Sequence, residues 1–233
     1  MYNTNMANLL LTGSIIMIMI VLISLSSNVA YFHSKNHRAA AQFNTNTTAN
    51  TTIAPSQPSS RTITSKFLTY ENPTSGIKIQ YPSEWTVSQA GLRDHTNIVA
   101  FYTPLDNFSD TIPENVLLSL NHYSQNVTLN DYGKLINATV NQPGFQSLES
   151  KSIRLADGSP AHMIVFTPPS PALGGGIGNL QLKPQIMLVW TVKGNNVYTI
   201  AYNAATTSYS KYLPVVQKMI DSFAELKITA THS

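Results

Sequence analysis

Hydrophobic and polar positions follow two different patterns along the chain. Leu9 to Leu25 reads LLLTGSIIMIMIVLISL, an apolar run interrupted only by short residues. No charged side chain occurs between Met1 and Phe32. From about Lys66 the pattern changes to short apolar runs separated by turn residues. Ile77-Lys78-Ile79-Gln80-Tyr81 alternates with period two, as a half-buried strand does. The same reasoning predicts strands over Phe67–Tyr70, Trp85–Val87, Ile98–Tyr102, Val116–Tyr123, Phe145–Leu155, Ala161–Thr167, Gln185–Val192 and Val197–Tyr202. Lys193-Gly194-Asn195-Asn196 is a hairpin connection between the last two.

Two segments carry helical spacing instead. Leu129–Val140 has Thr128 or Asn130 as its cap and Leu135, Ile136 and Val140 as its apolar positions. Ser208–Phe223 places Tyr209, Tyr212, Leu213, Val216, Met219, Ile220 and Phe223 on one face. Pro214 is tolerated best there in the first turn. Strands, helix, strands, helix is the order of an α+β domain, an antiparallel β-sheet flanked by helices.

The apolar run is expected to form one transmembrane helix. With its continuation to Phe32 it meets the roughly 20 residues needed to cross about 30 Å of hydrocarbon. The competing reading is a cleaved signal peptide. No Lys or Arg precedes the run, and Asn28 suits the small-x-small cleavage pattern poorly, so an uncleaved anchor is expected. The chain then divides into a tail (1–8), an anchor (9–32), a stalk (33–65) and a folded domain (66–229). The stalk core, FNTNTTANTTIAPSQPSSRTITS, has too little apolar surface to offset its ordering entropy.

Charge sharpens this division. The net charge is +3, yet all eleven acidic residues and eleven of the fourteen Lys and Arg lie at or beyond Lys66. The domain is thus neutral, and the excess resides in Lys35, Arg38 and Arg61. A neutral domain without a basic cluster is a poor match for nucleic acid, whose binding depends on phosphate neutralisation. Lys35 and Arg38 follow the anchor and by themselves favour a cytoplasmic domain. Large domains translocate largely regardless of two flanking charges, and Asn-x-Ser/Thr sites occur at Asn46, Asn50, Asn107, Asn126 and Asn137. A single-pass membrane protein with an extracytoplasmic domain is expected. The absence of cysteine removes disulfides, thiol catalysis and thiolate metal sites.

Several short pieces resemble a known family. Tyr70-Glu71-Asn72-Pro73-Thr74-Ser75-Gly76-Ile77-Lys78-Ile79-Gln80-Tyr81-Pro82-Ser83-Glu84-Trp85 is similar to the opening of PsbP-like domains. Gly158-Ser159-Pro160-Ala161 is similar to a later step. Val197–Tyr202, Tyr212-Leu213-Pro214 and Met219–Phe223 resemble the final strand and helix. The resemblance covers roughly residues 67–226. It implies an antiparallel sheet flanked by helices and a role in binding, as in an extrinsic photosystem II subunit and a Ran-binding protein of the same fold. The anchor and stalk depart from the photosynthetic subunit.

Candidate chemistry is sparse. Tyr81-Pro82-x-x-Trp85 could form a ligand platform, but a strand-ending Pro82 and a core Trp85 are expected. Asp94-His95 offers an acid–base pair or a metal ligand. Adjacent strand residues face opposite ways, so a surface loop is expected there. His122 and His162 are lone histidines in strands. The loop from Pro168 to Gly178, with Gly174-Gly175-Gly176, joins two strands and so lacks the helix N-terminus of a phosphate cradle. No nucleophile elbow, paired-carboxylate motif or metal-ligand cluster is visible. The expectation is a non-catalytic, membrane-anchored accessory domain without cofactor or metal, meeting a protein partner at the membrane through which Leu9 to Phe32 passes. The alternatives are an exported carrier of a small apolar ligand and a hydrolase.

Overall fold

The computed structural model describes residues 66–89, 96–105, 113–169 and 184–226. The tail, anchor and stalk, Asp94-His95, Asn46, Asn50, Asn107 and the glycines of the 168–178 loop lie outside these residues. Among the described residues no helix is long and apolar enough to cross a membrane.

Among the described residues ten strands form two antiparallel sheets, where the sequence predicted one. The small sheet has the order β1-β2-β10, from Phe67–Asn72, Ile77–Pro82 and Ala224–Glu225. The large sheet has seven strands in the order β3-β4-β5-β9-β8-β7-β6. These are Thr86–Ser88, Asn97–Tyr102, Asn115–His122, Asn196–Ala205, Pro184–Lys193, Pro160–Thr167 and Gln146–Arg154, in that order. Helix α1 is Leu129–Val140 and helix α2 is Tyr209–Ser222.

The middle strands are buried on both faces. Along β8, Met187 and Val189 enter one core layer while Ile186, Leu188 and Trp190 enter the other. Period-two geometry sends alternate side chains to opposite faces, and both faces here meet apolar surface. One layer holds Ile77 and Ile79 of the small sheet with Val216, Met219 and Ile220 of α2. The other holds Tyr132, Ile136 and Val140 of α1. Phe101 of β4 receives Tyr70 edge-on at 5.8 Å and Tyr81 at 5.0 Å, tying the small sheet to the large one.

Local chemistry fixes the helix ends. Thr128 caps α1: its hydroxyl accepts from the Asp131 backbone N–H at 3.1 Å. Pro214 is the sixth residue of α2, beyond the first turn where the sequence placed it most comfortably. It leaves the Ser210 carbonyl without its helical donor. Ser210 and Pro214 are both exposed, so that carbonyl lies on the solvent side of the helix. Gly144 has φ +92°, and a Cβ there would lie 2.6 Å from Pro169 Cβ, so only glycine fits this crossing.

Candidate functional site

A cleft of about 690 Å³ opens where the small sheet, α2 and the β6–β7 hairpin meet. Alternation in β2 turns Ile77 and Ile79 into the core and leaves Lys78 and Gln80 to line the cleft. The last turns of α2 supply Lys218, Asp221 and Ser222. Asp157 comes from the β6–β7 hairpin and Phe67 from β1. The Gln80 backbone N–H donates to Ser222 Oγ at 2.8 Å, which in turn donates to the Met219 carbonyl at 2.6 Å. This seals β2 against α2 beside the opening. Lys218 Nζ stands 6.0 Å from the Phe67 ring centroid.

Lys193 braces one wall. Its ammonium lies 2.9 Å from Asp157 Oδ2 and 2.9 Å from Glu225 Oε2, linking the large sheet, the hairpin and β10. Burial acts to raise the Asp157 pKa, but hydrogen bonds from Lys193 and Ser159 outweigh it and hold the carboxyl below its usual value. Burial acts to lower the Lys193 pKa, and its bonds to Asp157 and Glu225 leave it raised. Two lysines and two aspartates on the lining suit a ligand with charged groups, such as a peptide segment, and suit an apolar small molecule poorly.

A second polar centre lies at the opposite end of the sheet, at the head of α2. Glu114 is buried, accepting from Thr103 Oγ1 at 3.0 Å and from the Ser208 hydroxyl. Ser208 occupies the N-cap of α2 without a capping bond from its own side chain. The Glu114 carboxylate places negative charge at the positive end of the helix. Tyr202 donates to the Tyr209 carbonyl at 2.9 Å, and burial, then the Glu114 charge, raises the Tyr202 pKa. This centre holds α2 to β4 and β5.

Among the described residues, Pro82, Trp85, His122 and His162 take structural positions. Pro82 ends β2, and Trp85 is buried and meets Tyr212 edge-on at 6.0 Å. His122 lies between Asn196 Oδ1 at 2.8 Å from Nδ1 and Asn195 Nδ2 at 3.1 Å from Nε2. His162 rests on the Trp190 ring with centroids 4.8 Å apart, its Nε2 2.9 Å from Ser150 Oγ. Burial lowers the His162 pKa. Strands β9 and β8 separate the two histidines, so the fold does not join them. Neither lines the cleft. The loop after Thr167 connects β7 to its antiparallel neighbour β8, two strands as expected. Among the described residues no group of three or more His, Asp and Glu could hold a metal ion.

No local pattern in the sequence announces the buried role of Glu114, its bond to Ser208 or the Lys193 brace. Glu114 carried only one signal: a carboxylate one residue short of the apolar run Val116-Leu117-Leu118.

The family model for PsbP-like proteins matches residues 15–224. The chain belongs to the PsbP-like family. No curated protein matches it. Among solved structures this PsbP-like chain is similar to cyanobacterial PsbP from Synechocystis, with 16 % identity, a TM-score of 0.47, and coverage of 73 % of this chain and 98 % of that one. It is also similar to LpqN of Mycobacterium tuberculosis, described as involved in cell envelope biogenesis (11 % identity, TM-score 0.48, 64 % and 82 % coverage). A third is the Ran-binding protein Mog1p of Saccharomyces cerevisiae (12 % identity, TM-score 0.46, 70 % and 97 % coverage). At these scores the likenesses add nothing to the family match.

Proposed function

We propose that this PsbP-like chain is a membrane-anchored accessory protein whose domain lies outside the cytoplasm and binds a protein partner without catalysing a reaction. The observation that carries this reading is the joining, in one chain, of an uncharged apolar segment from Leu9 to Phe32 to a PsbP-like domain. The cleft between Lys78, Lys218 and Asp157 supports a charged segment of the partner as the bound element.

Topology and binding are tested separately. Protease added to intact cells is expected to remove the domain; complete protection refutes the outward orientation. N-terminal sequencing of the mature protein is expected to show the apolar segment retained, and a mature chain starting near Tyr31 refutes the anchor. Mild crosslinking followed by capture of the full chain is expected to recover a reproducible partner. Recovery should drop with Lys78→Glu combined with Lys218→Glu. Capture unchanged by that pair removes the cleft as the contact, and reproducible absence of any partner removes the binding reading.

A further inference from the structure

Strand β6 closes one side of the large sheet, and among the described residues it pairs only with β7. Eight of its nine residues are exposed, Ile153 being the exception. An edge of this length presents outward N–H and C=O groups that another strand can pair with. Proteins usually guard such edges with bulges and charge, and β6 has both. Its pairing with β7 shifts between Ser147 and Glu149, and Leu148 at this bulge is 46 % exposed. Beyond the bulge, Glu149 and Lys151 lie on one face of the strand in an exposed ion pair at 2.7 Å.

The order of these charges decides which partner the guard admits. A guard of one sign repels every copy of the same strand. Glu149-Ser150-Lys151 carries one charge of each sign, placed symmetrically about Ser150. When two copies of β6 pair antiparallel about a two-fold axis, opposed side chains must share a face, so the axis passes through a residue. An axis at Glu149 opposes carboxylate to carboxylate, and an axis at Lys151 opposes ammonium to ammonium, both destabilising. An axis at Ser150 opposes Glu149 of each copy to Lys151 of the other, twice. We propose that β6 pairs antiparallel with β6 of a second copy of this chain about a two-fold axis at Ser150, joining two seven-stranded sheets edge to edge.

The regular part of β6 is short, so the contact falls below the roughly 1,000 Å² of a stable interface. The pairing is therefore weak and dependent on concentration. It is independent of the function proposed above, since it requires neither that partner nor that orientation.

The lack of cysteine in the chain makes the test direct. Ser150 and Ser152 are both exposed and both contact His162, so thiols placed at them are closely matched. Only residue 150 faces its own copy across the axis, at a Cα separation of about 4.5–5.5 Å that a disulfide can span. Residue 152 faces residue 148 of the other copy and lies about 13 Å from its own counterpart. Full-length Ser150→Cys at high concentration under mild oxidation is expected to give several-fold more disulfide-linked dimer than Ser152→Cys. Adding Glu149→Lys should bring the yield down to the Ser152→Cys level, and adding Lys151→Glu as well should restore it. Equal yields from the two thiols, no dimer from Ser150→Cys, or a charge swap that fails to restore the yield each overturn the proposal.

Discussion

At the scale of single residues, the strongest commitments are polar groups with partners far away in the chain. Lys193 joins Asp157 and Glu225, and through Lys193 and Asp157 the brace ties stability to pH. The folded pKa of Asp157 is depressed, so its contribution is complete above its ordinary value of 3.8 and is lost as pH falls through the lower folded value. The folded pKa of Lys193 is raised, so its contribution is complete below 10.5 and is lost as pH rises through the higher folded value. Denaturant midpoints measured across pH should show both limbs in the wild type and flatter limbs in Lys193→Met; unchanged limbs would show the brace to be inert. Glu114→Ala strands the Thr103 hydroxyl, while Ser208 keeps the Ala205 carbonyl as an acceptor, and the substitution is expected to cost about 1–3 kcal/mol by equilibrium unfolding. Some of this scale was legible in the sequence: Trp85 read as a core side chain because a tryptophan just past a strand-ending proline has apolar surface to bury. Glu114 and Lys193 were not legible, because their meaning resides in Ser208, 94 positions away, and Asp157, 36 positions away. No local spacing encodes such partners.

At the scale of elements, period and cap chemistry were good guides. α1 has the bounds its sequence predicts, and Thr128 is its cap. The strands sit within a few residues of their expected limits, since turn residues such as Gly76, with φ +65°, force the chain to reverse where they occur. Two features escaped. β10 spans only Ala224–Glu225, too short to show any periodicity. The assignment of β1 and β2 to a separate sheet also escaped, because a hairpin has the same alternation whichever sheet it joins. The interior position of Pro214 in α2 leads to a prediction at this scale. Pro214→Ala restores the N–H that the Ser210 carbonyl lacks, at an exposed site with no packing to disturb. The substitution should raise stability by about 1–3 kcal/mol, given the roughly 3 kcal/mol penalty of an interior proline. A thermal midpoint that stays put or falls would mean that the surrounding turn has already absorbed the penalty.

At the scale of the whole molecule, the large sheet is a partition between two core layers, and one tryptophan reports on each. Trp85 belongs to the α2 layer and Trp190 to the α1 layer. Strands β5, β7, β8 and β9 supply side chains to both, so neither layer can come apart while the other stays packed. The single-tryptophan variants Trp85→Phe and Trp190→Phe should therefore unfold with coincident fluorescence transitions; separated midpoints would show that the layers are independent. A partition packed on both sides also constrains how such a molecule can change. In the middle strands almost any substitution meets an interior, whichever face it points to, so drift there is costly. β6 is the opposite case, with nearly every side chain in water. New recognition properties can accumulate along that one border strand while the fold behind it stays intact, which makes β6 the place where relatives with the same architecture can diverge in what they touch.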